Sequence, residues 1–152
     1  SALGPPLKPH SNIPPMLSYS KLAQSGIAAV SYLASVADED RLIGSAEIAA
    51  ERNLSRALVA KILTILSTAG LVNGKPGPSG GYTLTRPPAK ISLLDVVKIF
   101  DDPDKRLMCP FGPGWCETGP ICPLHEFYVS TQKKMLGLLD KQSFAQFATK
   151  RS

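Results

Sequence analysis

A chain of 152 residues with 43% apolar content is large enough to bury one core and too short to expect several domains. Its formal charge of +5 and pI near 9.2 permit a polyanionic partner without establishing one. No run approaches the roughly 18–20 apolar residues of a membrane helix, and no secretory signal is present, so a membrane-spanning or exported protein is not expected.

Residues 1–15 hold five prolines and no hydrophobic periodicity. They read as a disordered arm or expression remnant, with Met16 as the expected native start. The segment 20–37 places Leu22, Ala29, Val30, Leu33 and Val36 on or near one face, which predicts an amphipathic helix despite Gly26. After the charged turn Asp38–Arg41, Ser45 begins a short helix with Ile48 and Ala49 facing inward. Asn53 and Leu54 make a tight turn. Ser55 is a suitable N-cap for a third helix from Arg56 to Ala69, with Gly70 as its stop.

The third helix has Leu58, Ile62, Ile65, Leu66 and Ala69 as its expected buried face. Arg56, Ala57, Ala60, Thr64 and Ser67 fall opposite, with Lys61 at the edge. That outer face is small, polar and free of acidic residues, unlike an ordinary solvated helix, which suggests a face shaped to lie against something. Next come two short strand segments, Leu71–Val72 and Tyr82–Thr85, separated by the glycine-proline loop KPGPSGG with Lys75 near its tip. Ser92 caps a further helix, LLDVVKIF, with Asp95 completing a capping-box arrangement.

Cys109, Cys116 and Cys122, all the cysteines of the chain, then fall within fourteen residues, and His125 follows three places on. Pro110, Gly112, Pro113, Gly114, Gly119, Pro120 and Pro123 force this segment to loop. Three soft donors and an imidazole on one loop suit an iron–sulfur cluster or zinc. The gaps of six and five residues are longer than those of common zinc knuckles, which favours the cluster; zinc, or thiol chemistry without metal, remains the alternative. An odd number of clustered thiols without a signal peptide points to a reducing cytoplasm. A last helix is expected from near Leu124, carrying Phe127, Tyr128, Met135, Leu138 and Leu139, and SFAQFATK adds a final turn or two.

The fold class that follows is mainly α (α+β): a winged helix–turn–helix with a two-stranded wing, a cysteine loop and a long C-terminal helix. Four segments are expected: the arm 1–15, a DNA-binding domain 16–102, the cysteine loop 103–124 and a dimerisation helix and tail 125–152. A helix of 14 residues is about 21 Å long and enters a major groove about 12 Å wide when its exposed side chains are modest. Its N-terminal residues Ser55, Arg56, Ala57, Ala60 and Lys61 are the candidates for groove contact. Arg56 suits guanine and Lys61 suits phosphate. Lys75, Ser79 and Gly80 of the wing are placed to follow the minor groove or the backbone. A helical hairpin packed on a sheet in an ordinary α+β protein is the competing explanation of this region.

SGIAAVSYLA (25–34), NLSRALVAKILTILSTAGLV (53–72), GPSGGYTL (77–84), ISLLDVVKIFDD (91–102) and the three-cysteine loop together resemble a bacterial family. It is the winged-helix regulator family that contains the iron–sulfur cluster regulator IscR and the nitric-oxide sensor NsrR, and the resemblance spans residues 16–148. It implies a non-enzymatic homodimer joined through the helix after the cysteine loop, acting as a repressor on a palindromic double-stranded operator. It further implies that Cys109, Cys116 and Cys122 hold an iron–sulfur cluster, 2Fe–2S or 4Fe–4S, that senses redox state, nitric oxide or iron–sulfur supply, with His125 as fourth ligand. Three departures stand out. The first cysteine interval holds six residues where five is common. Gln24 occupies the position of the NsrR-type aspartate ligand. Ala60 replaces an acidic groove residue.

Overall fold

In the computed structural model, residues 19–102 and 122–148 are described. The expected arm and Cys109 and Cys116, with most of the cysteine loop, lie outside them. The helices are α1 (Lys21–Ser35), α2 (Ser45–Glu51), α3 (Arg56–Thr68), α4 (Leu93–Phe100), α5 (His125–Lys141) and α6 (Ala145–Ala148). Strands β1 (Val72–Lys75) and β2 (Gly81–Leu84) form an antiparallel pair in which Val72 faces Leu84 and Lys75 faces Gly81. The chain is mainly helical with a two-stranded wing, as its sequence predicts.

Local chemistry sets the boundaries. Ser20 caps α1 by accepting the Ala23 N–H, and Ser55 caps α3 by accepting the Leu58 N–H at 3.1 Å. Both helices flanking the turn end in paired reverse bonds. Leu54 N–H reaches Ala49 O at 2.9 Å and Leu71 N–H reaches Leu66 O at 2.9 Å. The residues between take left-handed backbone, Asn53 at φ 52° and Gly70 at φ 81°. Ser92 and Asp95 form the full capping box of α4.

The core corrects two expectations. α1 is not a one-faced helix: every residue from Ala29 to Ala34 is buried, because α2, α3, α4, α6 and β2 surround it. Leu22 and Val36, at its ends, are only half-buried. In α3 the buried set is Val59, Ile62, Leu63 and Leu66. Leu58 and Ile65 flank it and Ala69 is exposed, since packing against both α1 and α2 rotates the apolar arc. Ile48 and Ala49 face inward as expected.

The wing is fastened to the body by one backbone bridge. Ile43 N–H donates to Tyr82 O at 3.0 Å and Tyr82 N–H to Ile43 O at 2.8 Å. After α5 the chain returns to this same core. Leu93 N–H donates to Gln142 O at 2.8 Å, Phe144 N–H donates to Ile91 O at 3.0 Å, and the Phe144 ring is fully buried. Phe144 was not among the expected core positions, because its short flanking segment carries no helical or strand period.

Candidate nucleic-acid interface and ligand turn

Once α3 has spent Val59, Ile62, Leu63 and Leu66 on the core, the remaining stripe is exposed: Ser55, Arg56, Ala57, Ala60, Lys61, Thr64, Ser67 and Thr68. Beside it stands the wing. Lys75 is exposed at the end of β1, at the base of the tip 76–80 rather than in it. Ser79 is exposed and Gly80 half-buried. A side chain at Gly80 would run into the carbonyl of Lys75, so the tip turns only with glycine there. Between helix and wing runs a groove of about 310 Å³, lined by Thr64, Ser67 and Thr68 on one side and Gly74, Lys75, Pro76 and Tyr82 on the other. The outer-face pattern of α3 signals its hydroxyls, but nothing in the sequence marks Gly74 and Tyr82, whose juxtaposition arises from strand pairing.

Electrostatics separates the cations of this region. From Arg52 to Leu94 the chain carries Arg52, Arg56, Lys61, Lys75, Arg86 and Lys90 and no carboxylate. Arg86 is drawn to Asp95 at 3.1 Å, and Arg52 lies over the Tyr32 ring at 5.2 Å while donating to Ser31. The side chains of Arg56, Lys61 and Lys75 make no hydrogen bond or ion pair with any described residue, which leaves their charge available to an outside anion.

The second candidate site begins where α4 ends. Asp101 is buried; its Oδ2 accepts the Ser20 N–H at 2.8 Å, and its own N–H bonds Val97 O at 2.8 Å. Burial, followed by the nearby Asp101 charge, pushes the Tyr19 hydroxyl up from its ordinary value. The Phe100 ring fills the space a side chain on Gly26 would need. The chain therefore enters the cysteine loop clamped to the start of α1.

It leaves the loop at Cys122, which is 6% exposed and whose Sγ accepts the Leu124 N–H at 3.4 Å. His125 is the exposed first residue of α5, and its N–H donates to Cys122 O at 3.1 Å. Cys122 and His125 thus close one hydrogen-bonded turn at the head of α5. No cluster of three or more metal-ligating side chains forms among the described residues. Gln24 donates its amide to Tyr19 O at 2.8 Å. No residue of α5 is buried, and Leu124, Phe127 and Leu138 are 42%, 66% and 58% exposed.

Among described residues no helix is long and apolar enough to cross a membrane. Residues 19–150 match the profile of Rrf2, described as an iron-dependent transcriptional regulator. An Aquifex aeolicus (strain VF5) protein described as an HTH-type transcriptional regulator is 35% identical over 98 residues, covering 64% of this chain and 67% of that protein. IscR of Klebsiella pneumoniae (strain 342) is 26% identical over 122 residues, covering 79% and 74%. In three dimensions the chain is similar to T. potens IscR, with TM-score 0.69, 22% identity and coverage of 85% and 84%. It is also similar to CymR, the global cysteine regulator of B. subtilis, with TM-score 0.72, 22% identity and coverage of 88% and 97%. These relatives are regulators, not enzymes.

Proposed function

The chain belongs to the Rrf2 family of transcriptional regulators and binds DNA, and from that premise we propose that it is a cytoplasmic homodimeric repressor whose grip on a palindromic operator is governed by an iron–sulfur cluster. The ligands in this reading are Cys109, Cys116, Cys122 and His125, and the DNA contacts are Ser55, Arg56, Ala57, Ala60, Lys61, Lys75, Ser79 and Gly80. The observation that carries it is the conjunction of unneutralised cations on α3 and the wing with a thiol–imidazole turn at the head of a helix whose Phe127 and Leu138 are exposed. A sheltered sulfur that accepts a backbone N–H suits a ligating thiolate, and the donor chemistry suits either 2Fe–2S or 4Fe–4S.

When bound, such a cluster supplies a centre sensitive to oxidants, nitric oxide and iron–sulfur supply. The chain's own residues do the rest. Asp101 and Phe100 hold one end of the loop against α1. Cys122 holds the other end to α5, whose exposed Phe127 and Leu138 would be covered by a second copy. Freeing the ligands then alters how α5 sits against α4, and with it the separation of the two recognition helices. An operator reads that separation over about 34 Å, and a coupling of about 1–3 kcal/mol alters binding some 5- to 150-fold.

The test is iron, acid-labile sulfide and zinc analysis of anaerobically purified protein, alongside operator binding by the wild type and Cys122→Ser. Iron with sulfide, and affinity that responds to the substitution, is the expected result. Zinc without sulfide would make the site a structural one. Sulfide-free protein whose affinity ignores Cys122→Ser would end the sensor reading and leave a plain DNA-binding regulator.

A further inference from the structure

We infer that the first two turns of α3 read an operator half-site through guanine edges and thymine 5-methyl groups, with no side chain directed at adenine or cytosine amino groups. The inference rests on the reading that α3 enters the major groove, and it adds which bases that helix selects. The groove displays four distinct edges: guanine offers two acceptors, cytosine an amino donor, adenine an acceptor beside a donor, and thymine an acceptor beside a methyl. Adenine is matched by the carboxamide of Asn or Gln, and the cytosine amino group by a carboxylate. From Ser55 to Thr68 the chain holds no Asn, Gln, Asp or Glu.

What it does expose is of two kinds. Arg56 and Lys61 are donors without an internal partner among the described residues. Ala57 and Ala60 are bare methyls. Thr64 has already given its hydroxyl proton to Ala60 O at 3.0 Å, and the Ser55 oxygen is engaged by the Leu58 N–H. Ala57, Ala60, Lys61 and Thr64 recur at helical spacing along one stripe. From 57 to 64 the helix rises about 10 Å, the length of about three base steps. A guanine near Arg56 with thymines within three steps therefore satisfies this surface. An alanine methyl is also short enough to let the helix backbone approach the groove floor, which a longer side chain would hold away.

The experiment selects bound half-sites from a randomised duplex pool with the full-length protein. It then replaces each selected thymine singly by deoxyuridine, which keeps the base pair and deletes the methyl. At one or more thymines the exchange lowers affinity about three- to fivefold, the scale of one buried methyl. Ala60→Gly or, if that helix proves unstable, Ala57→Ser removes the difference between thymine and uridine at its position. Arg56→Ala flattens the preference for guanine. Sequence-selective binding that tolerates deoxyuridine at every thymine, and falls instead when adenine is replaced by purine, which lacks the 6-amino group, overturns the inference while leaving the DNA-reading surface standing. Binding without any selected sequence overturns both.

Discussion

The reading head and the ligand turn are built under opposite constraints. In α2, α3 and the wing, position is fixed twice over, by caps and reverse bonds within the chain and by a core that takes Ile48, Val59, Ile62, Leu63 and Val72. The groups we propose for DNA contact are the remainder, the exposed side chains the core did not use. At Cys122 and α5 the order is reversed. No α5 residue is buried, and among the described elements the helix packs chiefly on α4, so in our proposal its environment is completed from outside, by ligation and by a second copy. A reading surface of this kind is stiff before it meets its partner, whereas a sensing element has to retain an arrangement that a ligand can change.

The sharpest way to break that contrast is Phe144. It lies beyond α5 in sequence but in the core of the reading head in space. Phe144→Ala should cost about 3–5 kcal/mol in urea denaturation, because a fully buried ring leaves a cavity. A loss under 1 kcal/mol would mean that the head is complete without the segment that follows α5, and that the two regions are separate units.

Next in size is the loop's anchor. Gly26→Ala gains helix propensity yet drives a methyl into the Phe100 ring. The net expectation is a loss of about 1–3 kcal/mol. Coupling to Phe100→Ala in a double-mutant cycle checks it: if the ring is the obstacle, the second change relieves part of the first. Additive effects would place the obstacle elsewhere.

Lys75→Ala sits on the reading side and should leave stability alone. If the ammonium meets one phosphate, the salt dependence of binding falls by about 0.9 in log–log slope and affinity drops alike on all sequences. A sequence-specific loss with unchanged slope would move Lys75 from backbone to base.

These contrasts also explain what could be read from sequence. Ser55, Gly70 and the Ser92–Asp95 pair announce their elements because caps and stops depend on neighbours a few residues away. The outer face of α3 was legible for the same reason: helical spacing alone separates Arg56, Ala57 and Ala60 from the core. The burial of Val59 and Leu63 is not legible in this way, since nothing local says that two helices, not one, cover α3. Phe144 and the Asp101–Ser20 bond escaped because their partners lie 53 and 81 positions away. The proposed ligand set follows from chemistry alone, thiols and an imidazole on a proline-glycine loop, and only Cys122 and His125 of it fall among the described residues. Spacing alone does not select the metal, because iron–sulfur and zinc accept the same donors.

The smallest expected effect concerns the ion pair that braces the start of α2. Arg41 holds the Glu47 carboxylate with both terminal nitrogens, at 2.6 and 2.9 Å, and the Tyr32 hydroxyl donates to the same carboxylate at 2.5 Å. Arg41 first and Tyr32 second bring the Glu47 carboxyl down to about 2 from the ordinary 4.5. Protons therefore bind the unfolded chain in preference across that interval. The stabilisation is complete above pH 4.5 and fades as pH falls toward 2. Glu47→Gln should flatten the pH dependence of stability in that window and leave it nearly parallel to wild type above pH 6. The pair is partly solvated, so the change is small and shrinks with added salt. If the substitution shifted operator affinity at neutral pH instead, the brace would belong to the reading surface, and the division between a core-fixed head and its exposed remainder would have to be redrawn through α2.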